Sequence, residues 1–446
     1  MQANHNVTRI TSIKVRVLTL LICSSAGLQN AAASFTYNLG YRADYSTNIR
    51  RTPDDQTPRW DLINTLTGGF TYLQNTSTFN ARVAGSAAYF EYYRDSFDTQ
   101  NDLTLDAYGE LFLVPQVLSW VAADGFRKVQ IDPRQADLPT NRQNSNIFLT
   151  GPNVYMHLGP VDTLSMEARY GRSGVENFEV DSERDFLAAR WQHRLSTWST
   201  LTFNYEFMDV DYENSVLNTD FMRHNYFLRG NIRSARNDFM FDVGKTRIIL
   251  ARGAPIDNLL FRFAATRQLN SVSSLGINYG REYSDTGAQL LPTAATSQPT
   301  PSGIQAPLGT DIVTHELFYT EQTELSYAWR GNTFPWTARV FSRNIDYELS
   351  SNSREEKGWS VDARYVLTNA LSLVATSSYV YTHYNDSVSE IWDSITGVGV
   401  LYRLSRSLSA GIDVRRYGRT STVSTQEYTD DRISATLTYS AQSAAP

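Results

Sequence analysis

The chemistry that this sequence offers lies in charged residues that alternate with apolar ones along extended segments. In residues 184–212, for example, Leu201, Phe203 and Phe207 alternate with Asn204 and Glu206. Strand side chains point to opposite faces with a period of two, so each segment has an apolar face and a polar face. Charges in the middle of a polar face are costly in a solid core, whereas a water-filled interior accommodates them. The residues predicted to line such an interior are Arg82, Asp106, Glu110, Glu167, Arg169, Arg190, Arg229, Arg262, Arg339, Asp362, Arg364, Asp413 and Arg415.

Patterns for catalysis or metal binding are weak by comparison. The six His are scattered, and no two have the spacing of zinc ligands. Ser196 near His193 falls in a predicted inner turn, and no nucleophile signature accompanies His383 with Asp386. The acidic run 209–213 could bind a divalent cation weakly, but we interpret it as the solvated start of a loop. The sequence therefore predicts no enzyme, no cofactor and no metal site.

About twenty strands are predicted from the alternation and the turn signals. Tight connections, such as 75–77 and 368–370, alternate with longer polar ones, as in transmembrane barrels with short periplasmic turns and long outer loops. The predicted fold is all-β, an antiparallel transmembrane β-barrel. Strand numbers of 16 and 18 remain alternatives, because boundaries read from sequence err by several residues. A soluble propeller or multi-sandwich is disfavoured, because the polar faces carry too much charge for a buried core.

The chain is predicted to consist of a signal and one barrel. Residues 1–33 have a positive region, a short apolar core and the sequence Ala31-x-Ala33, which is typical of a cleaved secretory signal. Residues 34–446 form the expected barrel. Within it, the Pro-rich segment 285–310 is predicted to be an outer loop that acts as a lid or plug, and 440–446 a short tail. The last strands are predicted to include 311–330, 358–367 and 431–439.

The composition narrows the class of partner. The 446 residues carry a formal net charge of -6, which becomes -9 if a signal with three basic and no acidic residues is removed. This acidity argues against a nucleic-acid partner. Four of the 40 basic residues are Lys and the others are Arg. Arg is rigid and always charged, and it suits a fixed, charged interior, although a genomic composition bias explains the excess equally well.

Aromatic residues make up 12% of the chain, and most Trp residues lie near predicted strand ends or in turns. Trp prefers the boundary between membrane and water, so these residues are interpreted as girdles of a barrel wall. Ordinary packing is the alternative. The predicted girdle residues are Trp120, Trp191, Trp198, Trp329, Trp336 and Trp359.

One hairpin unit recurs as LSTWSTLTFNYEFMDVDYEN, LTNALSLVATSSYVYTHYND and LSRSLSAGIDVRRYG. In each, a Leu-Ser or Leu-Thr turn leads into a strand that ends with Tyr or Arg at an outer loop. The pattern resembles the second outer-membrane β-barrel porin family, whose members occur in exopolysaccharide gene clusters of Gram-negative bacteria. It spans essentially the whole mature chain. One departure is the end of the chain, because Tyr439 is followed by SAQSAAP, whereas many barrels end on an aromatic residue that the assembly machinery reads.

The resemblance implies a bacterial outer-membrane porin that acts as a passive conduit for secretion of exopolysaccharide. Barrels of this size leave an aqueous channel unless a loop fills it. The implied partners are outer-membrane lipid, lipopolysaccharide and the barrel-assembly machinery, together with polysaccharide and periplasmic export proteins. Two alternatives remain open, namely a closed structural or receptor barrel that binds a surface polymer, and a general diffusion porin for small solutes.

Overall fold

The computed structural model describes residues 33–53, 55–176, 181–214, 219–285, 317–348, 352–385 and 389–444. The expected signal, apart from Ala33, therefore lies outside the described residues, as does the predicted loop 285–310 apart from Asp285. No helix in the described part of the chain is long and apolar enough to cross a membrane.

Strands account for most of the described chain, because the alternating segments form extended ladders joined by short polar connections. Two 3₁₀ helices, Pro139–Asn141 and Ser424–Gln426, lie in connections between them. In chain order the strands are β1 Ala33–Ser46, β2 Asp61–Asn75, β3 Phe79–Tyr92, β4 Gln100–Val114, β5 Leu118–Gln130, β6 Arg142–His157, β7 Asp162–Val175, β8 Ser182–Arg194, β9 Ser199–Tyr212, β10 Phe221–Arg233, β11 Asn237–Leu250, β12 Ile256–Gln268, β13 Ser273–Ser284, β14 Phe318–Trp329, β15 Trp336–Tyr347, β16 Arg354–Val366, β17 Leu371–Tyr384, β18 Glu390–Arg403, β19 Leu408–Ser421 and β20 Tyr428–Ala444.

The strands form one closed antiparallel barrel. Each strand pairs with the next along the chain, and β1 closes the sheet against β20 from Ser34 opposite Ala444 to Ser46 opposite Arg432. Closure leaves no edge strand. The prediction of an antiparallel barrel with about 20 strands is thus confirmed.

The two ends of the barrel differ in their connections. At one end the strands are joined by tight turns such as 195–198 and 404–407, and β1 begins and β20 ends there. We call this the turn end. The opposite end carries the longer connections, among them 47–60, 131–141 and the connection from β13 to β14, and we call it the loop end. The predicted alternation of tight and long connections arises because the tight ones lie at the turn end and the long ones at the loop end.

The two faces of each strand meet different surroundings. On β9, Thr202, Asn204 and Glu206 are buried inside the barrel, whereas Phe203 points outward and keeps 53% of its surface exposed. Large apolar side chains recur on the outward face of other strands, with Val398 and Ile412 each 63% exposed. An outward apolar band and a polar interior are the arrangement of a transmembrane barrel.

Three strand boundaries near the C-terminus differ from the prediction. The strand β14 starts at Phe318 rather than at residue 311, and β16 starts at Arg354 rather than at residue 358. The charges of Arg354 and Glu356 are typical of a loop, but both side chains are buried inside the barrel. The last strand does not end at Tyr439, because its backbone continues to pair with β1 as far as Ala444. Most of the predicted tail 440–446 is therefore part of the barrel.

The predicted girdle residues gather mainly at the turn end. Their members there are Trp120, Trp191, Trp198, Trp329 and Trp336. The placement of Trp359 near a strand end was wrong. This residue lies in the middle of β16, opposite Val340 and Tyr379, because the strand begins four residues earlier than predicted.

Two further Trp residues lie at the loop end. Trp392 is on the outward face of β18, and Trp60 is in the connection before β2. Trp60 has its ring centroid 5.7 Å from that of Tyr45, and Trp392 lies 5.6 Å from Tyr381. Aromatic residues thus mark both ends of the outer wall, which is the distribution seen at the two interfaces of a membrane.

Candidate functional site

The candidate functional site is the interior of the barrel. Strand alternation places every predicted lining residue on the inward face of its strand. Arg82 lies opposite Tyr108, Arg339 opposite Ser326, and Asp362 opposite Thr376. The pairing of neighbouring strands brings some of these residues together and leaves others apart. Those that meet form two networks on the strands β4–β13, which we call the network side, and one pair on β19.

The first network joins residues of β4, β5, β6 and β7 through side-chain hydrogen bonds. Glu110 accepts a hydrogen bond from Ser119 at 2.6 Å, and Arg169 Nη1 donates to the backbone carbonyl of Pro152 at 2.7 Å. Arg169 also bonds to Asn153, which lies beside Glu110. These buried polar groups hold one another in place, because an unpartnered polar group would be costly there.

Next to it, Arg190 of β8 bridges two carboxylates. Its guanidinium lies 2.6 Å from Glu167 and 3.3 Å from Glu206. The planar fork of Arg suits such a double contact, since it presents several donors in fixed directions.

The second network is centred on Asp242 of β11, whose side chain is fully buried. Both of its carboxylate oxygens accept hydrogen bonds from Arg229, at 2.7 and 2.6 Å, and Arg262 Nη1 lies 3.1 Å from the same group. Arg262 also bonds to Glu282 of β13, with Nε 3.0 Å from the carboxylate. Two cations and two carboxylates therefore brace four neighbouring strands across the interior.

Two cavities lie against other parts of the wall. We call the strands from β16 through β20 to β4 the open side. A cavity of about 1070 Å³ lies against it, lined by hydroxyl and amide groups together with a few charges. Its lining includes Thr36, Asn38, Ser86, Thr104, Asp106 and Arg406.

A second cavity of about 430 Å³ lies nearer the turn end, where Asp362, Arg364, Asp413 and Arg415 face it. Arg415 Nε pairs with Asp413 at 3.0 Å. Both side chains lie over glycines of β18, since a Cβ on Gly397 would approach Arg415 to 2.7 Å and a Cβ on Gly399 would approach Asp413 to 2.7 Å. The glycines let these charged side chains lie flat against the wall, which keeps this part of the interior wide.

The loop end of the network side contains a buried apolar cluster. It is completed by Leu317 just before β14, while Asp285 just after β13 is fully buried and bonds to Arg184. The described residues on either side of the connection from β13 to β14 are thus held at the mouth. The cluster consists of Met208, Val210, Tyr212, Phe221, Ile248, Tyr283 and Leu317.

At the loop end of the open side, residues 131–141 reach across the mouth. We call this connection between β5 and β6 the strap. Arg419 Nη1 of β19 donates a hydrogen bond to the backbone carbonyl of Arg134 at 3.0 Å. The Arg134 guanidinium lies 4.5 Å from the ring centroid of Tyr384 on β17.

Several interior residues escaped the sequence analysis although they follow the same alternation. Asp242, for example, alternates with Phe241 and Val243. Applying the period-two rule to every strand would have found them. Further buried charged residues of this kind are Arg184, Arg343, Arg354 and Glu356.

The residues considered for catalysis are engaged elsewhere. His193 Nδ1 lies 2.8 Å from Asp162, whereas the Ser196 hydroxyl lies 2.7 Å from that of Ser199. Asp386 falls outside the described residues. Within the described ranges, no group of three or more His, Cys, Asp or Glu side chains could hold a metal ion.

No protein-family profile and no curated protein matches the chain. Among solved structures, it is similar to the FrpB iron transporter from Neisseria meningitidis in its apoprotein form, with 8% identity, a TM-score of 0.47, and coverage of 93% of this chain and 82% of that one. It is also similar to the ferric enterobactin receptor PfeA from Pseudomonas aeruginosa in complex with enterobactin, with 11% identity, a TM-score of 0.48 and the same coverage. The siderophore receptor PirA from Pseudomonas aeruginosa gives 13% identity and a TM-score of 0.44, over 91% of this chain and 80% of that one. Iron transport and enterobactin binding are properties of those proteins.

Proposed function

We propose that this protein is a porin of the bacterial outer membrane, a passive conduit that carries hydrophilic polymer, with exopolysaccharide as its cargo. The outward apolar band and the aromatic residues at both ends support a place in the membrane. Lipid, lipopolysaccharide and the barrel-assembly machinery are the partners that such a place requires. Polysaccharide and periplasmic export proteins are the partners that the cargo requires.

The observation that carries this proposal is the cavity on the open side. Its hydroxyl, amide and fixed charged groups offer many shallow hydrogen bonds rather than one deep binding site. A polymer that must pass through needs contacts weak enough to be exchanged one after another. Sugars, which carry hydroxyl groups along their whole length, match such a wall.

The proposal is tested with the purified barrel in planar bilayers and in liposomes. We expect ion current through the barrel, and uptake of oligosaccharides that is reduced when Ser86 and Thr104 on the cavity wall are both replaced by Leu. A matched variant changes Leu66 and Leu103 on the outer wall to Ile and should leave uptake at the parent level. A folded barrel that passes neither ions nor sugars would contradict the proposal, and passage of small solutes alone would indicate a general diffusion porin.

A closed receptor or structural barrel is the second candidate, and the strap is the observation that favours it. The contacts of Arg134 with Arg419 and Tyr384 cover part of the mouth. This candidate predicts binding of a surface polymer at the loop end without any current. Polymer binding measured on immobilised barrel, alongside the bilayer currents, separates the two functions.

A further inference from the structure

We infer that the strap, residues 131–141, is a gate that closes the loop-end exit of the open side and swings away to let cargo pass. This inference rests on the proposed function and assigns its regulation. The strap leaves the wall between β5 and β6, yet its contacts lie on β17 and β19, on the far side of the open half. The same strands line the second cavity nearer the turn end through Thr376 and Asp413.

Both of the contacts with β17 and β19 described above are made by Arg134 of the strap. The Arg134 carbonyl accepts the hydrogen bond from Arg419, and the Arg134 guanidinium covers the face of Tyr384. Arg419 is held for this contact by Asp393, whose two carboxylate oxygens accept from Nε and Nη2 at 2.7 and 2.9 Å. Arg419 is therefore held rigidly on the wall, and the contact forms only when the strap lies against it.

A second tie joins the strap to the connection between β1 and β2. Arg51 Nη1 donates to the backbone carbonyl of Asp137 at 2.8 Å. The Arg51 guanidinium also lies 5.7 Å from the ring centroid of Tyr417 and 5.3 Å from that of Tyr428. These tyrosines belong to β19 and β20, so this tie also ends on the open side.

The strap is built to move as one piece. Asn141 Oδ1 accepts from the amide of Asp132 at 2.9 Å, and Asn141 Nδ2 donates to the carbonyl of Asp132 at 2.8 Å. Gln130 Nε2 donates to the carbonyls of Asp132 and Gln135 at 3.0 and 3.1 Å. The base of the strap is thus fastened within itself, while the contacts described above that hold it across the mouth are hydrogen bonds to backbone carbonyls and guanidinium–ring contacts, each of modest strength.

The test uses the full barrel and removes both ties together, as Arg51→Ala with Arg134→Ala and Arg419→Ala, because Arg134→Ala alone would leave the backbone carbonyl of residue 134 bonded to Arg419. Arg50→Ala is the matched control, because Arg50 also bonds a backbone carbonyl, that of Ser96 at 2.9 Å, but joins the connection between β1 and β2 to the one between β3 and β4 and not to the strap. We expect a several-fold rise in mean bilayer current for the triple variant and the parent current for the control. Replacing residues 133–138 by a Gly-Ser linker removes the strap itself and should give the same rise.

Access to the interior is the second readout. Ser378 is buried on the inward face of β17, below Tyr384. In a Ser378→Cys background, a membrane-impermeant thiol reagent added on the loop side should react several-fold faster when both ties are removed. Current and labelling equal to the parent in both strap variants would overturn the gate while leaving the conduit intact. Folded barrels that carry no current in any variant would overturn the proposed function and the gate with it.

Discussion

Buried charges in the barrel interior act as braces between strands. Asp242 is fully buried and contacts both Arg229 and Arg262. Replacing a buried ion pair with apolar residues can be neutral, but removing one partner leaves an uncompensated charge, which is strongly destabilising. The position of each carboxylate, rather than the number of ion pairs, therefore decides its contribution to stability.

The first prediction compares two aspartates on β11. Asp242→Ala should lower the free energy of unfolding by about 3–5 kcal/mol, because two buried guanidinium groups lose the carboxylate that lies between them, although Arg262 keeps its contact with Glu282. Asp238→Ala is the control, since its partner Arg233 is on the same neighbouring strand but the two side chains are 52% and 80% exposed. Its expected cost is about 1 kcal/mol or less. Urea unfolding in lipid vesicles measures both, and equal losses would contradict the brace.

A second prediction concerns Asp181 in the connection before β8. Burial raises the pKa of this carboxyl, and the charge of Glu213 adds to the effect. A raised pKa in the folded state means that ionisation is unfavourable there, so the carboxyl stabilises the fold at low pH and loses this contribution as pH rises through its folded pKa.

Asp181→Asn should therefore make the barrel more stable than the parent at pH 7. The two should converge below the ordinary Asp pKa of about 3.9, where both side chains are neutral. Urea unfolding at pH 7 and at pH 3 checks this. A variant that is less stable at pH 7 would show that the charged carboxylate is needed for its hydrogen bond from the Val175 amide at 3.3 Å.

At the scale of the strand, alternation predicted most of what the structure shows. Apolar and polar positions on β9 fall on the expected faces, because a one-residue slip would turn every side chain to the wrong side. The errors arose where composition and burial disagree. Arg354 and Glu356 resemble loop residues by composition, yet Glu356 pairs with Arg354 and with Arg343 of β15, which allows both residues to be buried in β16. The pairing with Arg343 depends on a neighbouring strand and cannot be read from a local pattern.

The third prediction tests the outward face of β9. Phe203→Arg should cost roughly 2–4 kcal/mol in a membrane, because a cation would replace an aromatic ring in the apolar band. It would also lose the stacked contact with Trp191, whose ring centroid is 5.7 Å away. Ser86→Arg on the inward face of β3 is the control and should insert normally. Folding yield in lipid vesicles, followed by the gel mobility of the unheated barrel, measures both. Normal insertion of Phe203→Arg would reverse the assignment of faces.

At the scale of the whole molecule, the seam between the first and last strands closes the barrel. Asp430 of β20 is fully buried and accepts hydrogen bonds from Ser46 Oγ at 2.6 Å and from the Asn48 amide at 3.1 Å. Arg42 Nη2 of β1 donates to Ser434 Oγ at 2.7 Å. Side chains thus reinforce the backbone pairing where the two ends of the chain meet.

The fourth prediction weakens this seam. Asp430→Ala should lower the temperature at which the folded form disappears from unheated gels, because each buried donor left without a partner costs about 1–3 kcal/mol. Asp431→Ala removes the next residue, which faces outward and pairs with Arg416 in an exposed position. This control should melt near the parent. Equal shifts for the two variants would mean that the backbone ladder alone closes the barrel.

Contacts across the mouth are the part of the structure that could not be predicted from the sequence. Arg419 and Arg134 are 285 positions apart in the chain, and the residues around each one do not indicate the contact with the other. The same holds for Arg51 and Asp137, which meet only because the strands between them curve into a closed wall. Periodicity describes each strand, whereas these contacts follow from the closure of all twenty.

The preference for arginine inside the barrel has a consequence for the charge pattern of the interior. A planar guanidinium presents its hydrogen-bond donors in fixed directions, whereas the ammonium group of a lysine turns on a flexible stem. Positive charge at Arg82, Arg229, Arg339 and Arg364 is therefore carried by rigid groups at fixed places on the wall. A passage lined in this way has its cationic pattern set once, when the chain folds.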